Sequence, residues 1–184
     1  MKVIETPIKD LLVIQPQIFN DSRGFFFESF NQKKFNELTN TNTQFVQDNQ
    51  AFSTYGVLRG LHYQLNPFSQ AKLVSVLQGK VLDVAVDVRK GSITFGQYFS
   101  IELSDENKTQ LFVPKGFAHG YVVLSETAHF FYKCDNFYNK ENEGGIAFND
   151  PSLKIDWQID LSKAILSDKD IVLPNIINSK NNFE

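Results

Sequence analysis

The chain is broken into short apolar or alternating runs from start to finish, and that rhythm leaves no room for a long helix. The runs are Phe25 to Phe30, Phe45 to Asp48, Val57 to Gln64, Lys72 to Leu77, Val81 to Val88, Gln97 to Leu103, Leu111 to Val113, Tyr121 to Leu124 and Ala128 to Cys134. Strand-length runs bounded by turn-forming residues are the pattern of a β-sandwich or small barrel. Gln78-Gly79 reads as a tight hairpin turn, Leu103 to Lys108 as a longer polar one, and Pro114 with Gly116 as a third. Such short connections predict antiparallel pairing between sequence neighbours. Asn31 to Leu38 predicts one or two helical turns capped by Asn31. Leu161 to Leu166 predicts another short helix, followed by a loop at Ser167 to Asp170, and the tail Asn178 to Glu184 is expected to fray.

A chain of 184 residues supports one sizeable core, so residues 1–184 are expected to form a single domain. The 42% hydrophobic and 14% aromatic content excludes disorder. A net charge of −3 argues against nucleic acid or a membrane surface as partner, because both need a broad basic stripe. A few convergent cations can still hold a pyrophosphate. The lone Cys134 forms no intramolecular disulfide, and Met1 to Glu5 opens no signal-type apolar stretch, so a cytoplasmic location is expected.

The run Val57-Leu58-Arg59-Gly60-Leu61-His62-Tyr63-Gln64 puts a cation and an imidazole where packing alone would prefer aliphatic side chains. Strand alternation places His62 on one face with Gly60 and Gln64, and Arg59 on the other unless a bulge intervenes. In Ala128 to Cys134 the same rule sets Tyr132 and His129 on opposite faces, so an inward Tyr132 makes His129 a surface residue. His62 and His119 remain as sites for proton transfer, and Tyr132, Asp83, Lys72 and Arg59 stand in apolar strand contexts that call for a reason. The His62-x-Gln64 and Pro114-x-Gly116-x-x-His119 segments are similar to the metal-bearing motifs of the cupin superfamily. The ligand count falls short, with Gln64 where a second histidine would stand, so no metal is expected. Arg23 and Glu28 bracket Gly24-Phe25-Phe26-Phe27, which reads equally as a surface edge strand or as an aromatic and cationic platform for a nucleobase and a phosphate.

Asp21 to Glu28, Phe45 to Asn49, Val57 to Gln64, Lys72 to Val74, Asp83 to Arg89, Pro114 to Gly120 and Leu166 to Asp170 together resemble the dTDP-4-dehydrorhamnose 3,5-epimerase family, in order and spacing, from about Lys2 to Leu173. The resemblance implies an all-β fold, a cupin-type double-stranded β-helix (jelly-roll) barrel with a few short peripheral helices. It also implies a homodimer that exchanges N-terminal strands and a reaction without metal or other cofactor. That reaction inverts carbons 3 and 5 of a dTDP-linked 4-keto-6-deoxyhexose, both of which flank the ketone.

By resemblance, His62 is the base, Asp170 the carboxylate behind it, Lys72 the cation at the sugar ketone and Tyr132 the acid on the opposite face. Arg23, Phe26, Glu28, Gln47, Asn49, Arg59, Lys72, His119, Tyr138, Glu143 and Lys169 correspond to contacts with nucleotide and sugar. Asp83 is a possible second layer and Phe19 a possible wall for the base. Gln50, Ala71 and Ser75 depart from residues common in relatives, in segments that line the family's pocket. The alternatives on the same barrel are inversion at one carbon, another nucleotide-linked 4-keto sugar such as a GDP-keto-heptose, a non-catalytic sugar-nucleotide binder and a metal-dependent oxygenase.

Overall fold

Alternation of apolar residues along short runs yields strands throughout: β1 Lys2–Glu5, β2 Leu12–Gln15, β3 Ile18–Asp21, β4 Gly24–Phe27, β5 Gln47–Thr54, β6 Leu58–Gln64, β7 Lys72–Gln78, β8 Lys80–Asp87, β9 Tyr98–Ser104, β10 Gln110–Val113, β11 Phe117–Val123, β12 Thr127–Cys134 and β13 Glu143–Gly145. Helices are limited to α1 Gln32–Thr39, α2 Asp168–Ile171 and a few 3-10 turns. The computed structural model describes the whole chain, Met1–Glu184.

Two sheets face each other, one ordered β1-β2-β10-β7-β12-β5 and the other β13-β6-β11-β8-β9, while β3 and β4 form a separate hairpin. Every pairing between these strands is antiparallel. This is the cupin-type double-stranded β-helix.

Pairing between sequence neighbours proves to be the exception. Only β1 with β2, β3 with β4 and β8 with β9 pair as consecutive strands. The turn at Gln78-Gly79 is not a hairpin, because β7 and β8 belong to different sheets. The connections β9 to β10 and β10 to β11 likewise cross from one sheet to the other. Turn residues fix where a chain reverses; they leave open whether the next strand bonds to the last or packs opposite it.

Alternation decides what each face buries. On β8, Val81 and Ala85 point into the barrel with Val74, Leu111 and Phe130 from the facing sheet, and Leu82, Val84 and Val86 point outward against Trp157, Ile146 and Leu153. Both faces of β8 are therefore covered, which is why it reads as an unbroken apolar run. Asp83 shares the inward parity of Val81 and Ala85. On the other sheet, α1 seals the outer face by seating Phe35 on Ile14, Leu73 and Phe112. Asn31 caps this helix, its side chain accepting from Lys34 N at 3.1 Å.

The terminal segment 178–184 does not hang free as expected. Phe183 is buried in the outer cluster, its ring edge-on to Tyr63 at 5.9 Å, and Lys90 N donates to the Phe183 carbonyl at 3.2 Å. Burial of the Phe183 ring is worth about 2 kcal/mol, and Lys180, Asn181 and Asn182 add hydrogen bonds to Tyr63, Val88 and Asn66. No helix is long and apolar enough to cross a membrane.

Candidate active site

The site begins with a β-bulge. Across β6 and β11, His62 pairs with His119 and Arg59 with Tyr121, and the register slips between them. Three residue steps on β6 thus match two on β11, leaving Gly60 and Leu61 opposite Gly120. Gly60 has φ +125°, and a Cβ there would lie 2.6 Å from Gly120 Cα, so the close approach needs glycine. The extra residue reverses the parity: Arg59 and His62 line the same cavity instead of opposite faces. This is the intervening bulge that the alternation argument left open, and it adds one step.

His62 Nε2 lies 2.5 Å from Asp170 Oδ1, and Ser167 Oγ donates to Asp170 Oδ2 at 2.7 Å. Ser167 caps the single turn of α2, whose first-turn geometry swings Asp170 under the imidazole. Burial alone would raise the Asp170 pKa; the hydrogen bonds from His62 and Ser167 outweigh it and hold the carboxyl below its usual range. An ionised Asp170 can only accept, so Nε2 carries the proton and Nδ1 is left with the lone pair.

Two adjoining cavities, of about 270 and 430 Å³, share Asn49, His62, Lys72 and Tyr132 in their walls. His62 from one sheet and Tyr132 from the other therefore face common space. Burial, with lesser contributions from Cys134 and Tyr121, pushes the Tyr132 phenol up to about 12, so it keeps its proton at neutral pH. Burial pushes the Lys72 pKa down, opposed by Cys134 and Asp83, and its ammonium has no carboxylate within ion-pair distance. Its Nζ stands 5.9 Å from the centre of the Tyr132 ring.

Gln47, Tyr138 and Glu143 line the smaller cavity, and Arg59, His119 and Lys169 the larger. Lys169 Nζ meets Glu143 Oε1 at 2.6 Å, linking α2 to β13. Asp83 is wholly buried behind His119, whose Nε2 donates to both carboxylate oxygens at 3.0 Å. Arg23, Phe26, Glu28 and Phe19 are not brought to either cavity. They sit on or beside the β3–β4 hairpin, where Arg23 pairs with Asp21, Glu28 with Lys34, and Phe26 is 71% exposed. Of the three departures, Gln50 lines the larger cavity, whereas Ala71 is buried beside α1 and Ser75 lines a groove on the outer face of its sheet. Ser167, Gln64, Gln70 and Tyr121 also line the site and were not among the candidates. Tyr121 was within reach, since it shares the inward parity of His119.

The donor set of a metal-bearing cupin does not fit. His62 and His119 are each engaged by a carboxylate, and nowhere do three His, Cys, Asp or Glu side chains converge.

Barrel and cavity together define a cupin-type protein whose interior presents an imidazole backed by a carboxylate, an unpaired lysine and a protonated phenol to one space. Residues 5–178 match the family model described as dTDP-4-dehydrorhamnose 3,5-epimerase. The chain is 55% identical over 171 residues to the enzyme of that name from Shigella flexneri, covering 93% of each. It belongs to the dTDP-4-dehydrorhamnose 3,5-epimerase family. Among solved structures it is similar to dTDP-4-dehydrorhamnose 3,5-epimerase from Elizabethkingia anophelis, with 58% identity, a TM-score of 0.94 and 99% coverage of both chains. It is also similar to dTDP-6-deoxy-D-glucose-3,5-epimerase from Legionella pneumophila in complex with dTDP-4-keto-L-rhamnose, with 50% identity, a TM-score of 0.92 and coverage of 96% of this chain and 93% of that one.

Proposed function

We propose that the protein inverts carbons 3 and 5 of dTDP-4-dehydro-6-deoxy-D-glucose, yielding dTDP-4-dehydro-L-rhamnose. One observation carries this reading: His62, Lys72 and Tyr132 line the same space, with His62 and Tyr132 contributed by facing sheets. His62 Nδ1 removes the proton from carbon 5, and the C–H electron pair moves into a C=C bond as the ketone becomes an enolate. Lys72 holds the enolate oxygen. Its depressed pKa reflects a buried cation without a partner, and the oxyanion is the missing counter-charge. Tyr132 then delivers its proton to the opposite face, re-forming the ketone with carbon 5 inverted. A second cycle at carbon 3 needs His62 to lose a proton and the Tyr132 oxygen to regain one, with no net change in charge. Asp170 keeps the imidazole in the required tautomer and stabilises its cation.

The test is turnover of the dTDP-ketosugar in heavy water. Deuterium at both carbons is expected; label at one carbon only would make the protein a mono-epimerase, and label at neither would remove the reaction altogether.

The protein acts as a homodimer in which the β3–β4 hairpin of one copy completes the site of the other. Arg23, Phe26 and Glu28 are expected at the ligand yet lie away from their own cavities, and Phe19, Phe25 and Phe26 are exposed on the same hairpin. Mixing Arg23→Ala with His62→Ala chains after unfolding and refolding should restore turnover, because each mixed dimer holds one intact site. Two inactive parents that stay inactive together would refute the exchange. A nucleotide-sugar substrate and a free buried thiol at Cys134 support a cytoplasmic setting.

A further inference from the structure

Tyr121 carries a hydroxyl that its own protein does not use. The residue is 5% exposed, and its oxygen is buried without a hydrogen-bond partner. Its ring is held firmly, stacked on Phe130 with centroids 4.0 Å apart and planes 16° from parallel. Phenylalanine would fill that place equally well, and native proteins rarely bury a hydroxyl unpaired. The bulge sets Tyr121 directly across from Arg59 on the wall of the larger cavity.

Arg59 is also incompletely used. Its Nε and Nη2 donate to Ser53 Oγ at 3.3 and 3.2 Å, and no carboxylate lies within ion-pair distance. Ser53 and Arg59 lie near enough to the Tyr121 hydroxyl to bear on its titration, although burial still raises its pKa and keeps it a donor. A guanidinium with spare N–H groups beside an unused O–H donor is a site for an anionic oxygen. Along the paired strands, Arg59 and Tyr121 stand one register step beyond His62 and His119, across the bulge, so the anion belongs to a part of the ligand distinct from the carbon that reacts.

We infer that the Tyr121 hydroxyl donates a hydrogen bond to a diphosphate oxygen of the bound nucleoside-diphosphate sugar, next to the Arg59 guanidinium. This rests on the proposed function and adds to it a residue that holds substrate. It also assigns the bulge a second purpose: one extra residue on β6 brings Arg59, opposite Tyr121, into the cavity that His62 lines.

The experiment is calorimetric titration of wild type and Tyr121→Phe with dTDP, which carries the diphosphate and no sugar. Thermal melting and steady-state kinetics on the ketosugar accompany it. The variant should bind dTDP about tenfold more weakly, as expected for a lost hydrogen bond to a charged group. Its melting temperature should equal or exceed that of wild type, since an unpaired buried hydroxyl is removed, and the kinetic loss should fall on KM rather than kcat. Unchanged dTDP affinity in Tyr121→Phe would overturn the inference and leave the functional reading standing. A wild type that turns over no ketosugar and binds no dTDP would overturn both.

Discussion

The barrel contains two histidine-carboxylate pairs on neighbouring strands, and they are built for different work. His62 and Asp170 meet at 2.5 Å through one carboxylate oxygen, with the histidine side chain 31% exposed to the cavity. His119 and Asp83 meet through both oxygens at 3.0 Å, and the pair is almost fully enclosed. Asp83 comes from β8 inside the sheet, two residues along from the residue paired with His119. Asp170 comes from α2, attached to the barrel edge through the Lys169 to Glu143 ion pair, with Ser167 holding the carboxylate within the helix cap. His119 is further fixed by stacking on Phe130, with ring centroids 6.2 Å apart. The two imidazoles thus differ in access, 31% exposed for His62 against 7% for His119, more than in possession of a carboxylate, and the proposed base is the accessible one. The same chemical pair can serve either end.

Removing the imidazoles one at a time tests that distinction most severely. His62→Ala should lower turnover by at least about 10²- to 10⁴-fold, and with it solvent-proton exchange into the ketosugar, because no other neutral base lines both cavities. Its loss of stability should be smaller than that of His119→Ala, because Asp170 Oδ2 still accepts from Ser167 Oγ when the His62 hydrogen bond is removed. His119→Ala should show the reverse balance. Turnover falls less than about tenfold, whereas unfolding in urea reveals a loss of about 3 kcal/mol, because a wholly buried Asp83 carboxylate is left without its donor. If the two variants lose turnover equally, accessibility does not mark the base.

The two pairs also differ in how much of them the sequence discloses. His119 and Asp83 sit in regular strands, so parity alone points Asp83 inward and puts His119 on the cavity side of β11. His62 is equally visible, but its partner lies 108 residues away on a one-turn helix within what reads as a loop. Only the family resemblance brings Asp170 to it. The face of Arg59 stayed open for a local reason: alternation fixes it only if no bulge intervenes, and period two alone does not reveal the extra residue that Gly60 and Gly120 accommodate. The strands β1, β2, β3 and β13 escaped notice, and β5 was read only as far as Asp48 although it runs to Thr54, because largely polar or very short strands are held by their partners rather than by an apolar run of their own. The Gly79 turn and the docked tail failed similarly. Whether a reversal stays within a sheet, and whether Phe183 finds a cleft, are decided by surfaces assembled from distant segments.

The smallest effect lies in the acid limb of stability, where Asp170 can be separated from the other carboxylates. Its folded pKa is lowered below the ordinary aspartate value, so ionised Asp170 contributes stability that is fully present above about pH 4 and is lost as pH falls through the depressed value. Asp87 and Asp150 are lowered as well, by hydrogen bonds that overcome burial, and they add to the same slope. Their contribution is common to wild type and Asp170→Asn, so it cancels when the two are compared. Urea denaturation at pH 7, 5, 4 and 3 should therefore show the wild type losing more stability between pH 5 and pH 3 than the variant, with the curves converging as acid neutralises Asp170. Because an amide in place of Asp170 cannot stabilise an imidazolium, the variant should also lose turnover at pH 7, where its stability deficit is fully developed but its fold is intact. Parallel stability curves would mean that the hydrogen bonds from His62 and Ser167 place the carboxylate without favouring its charge, and the open pair would then resemble the enclosed one in everything but exposure.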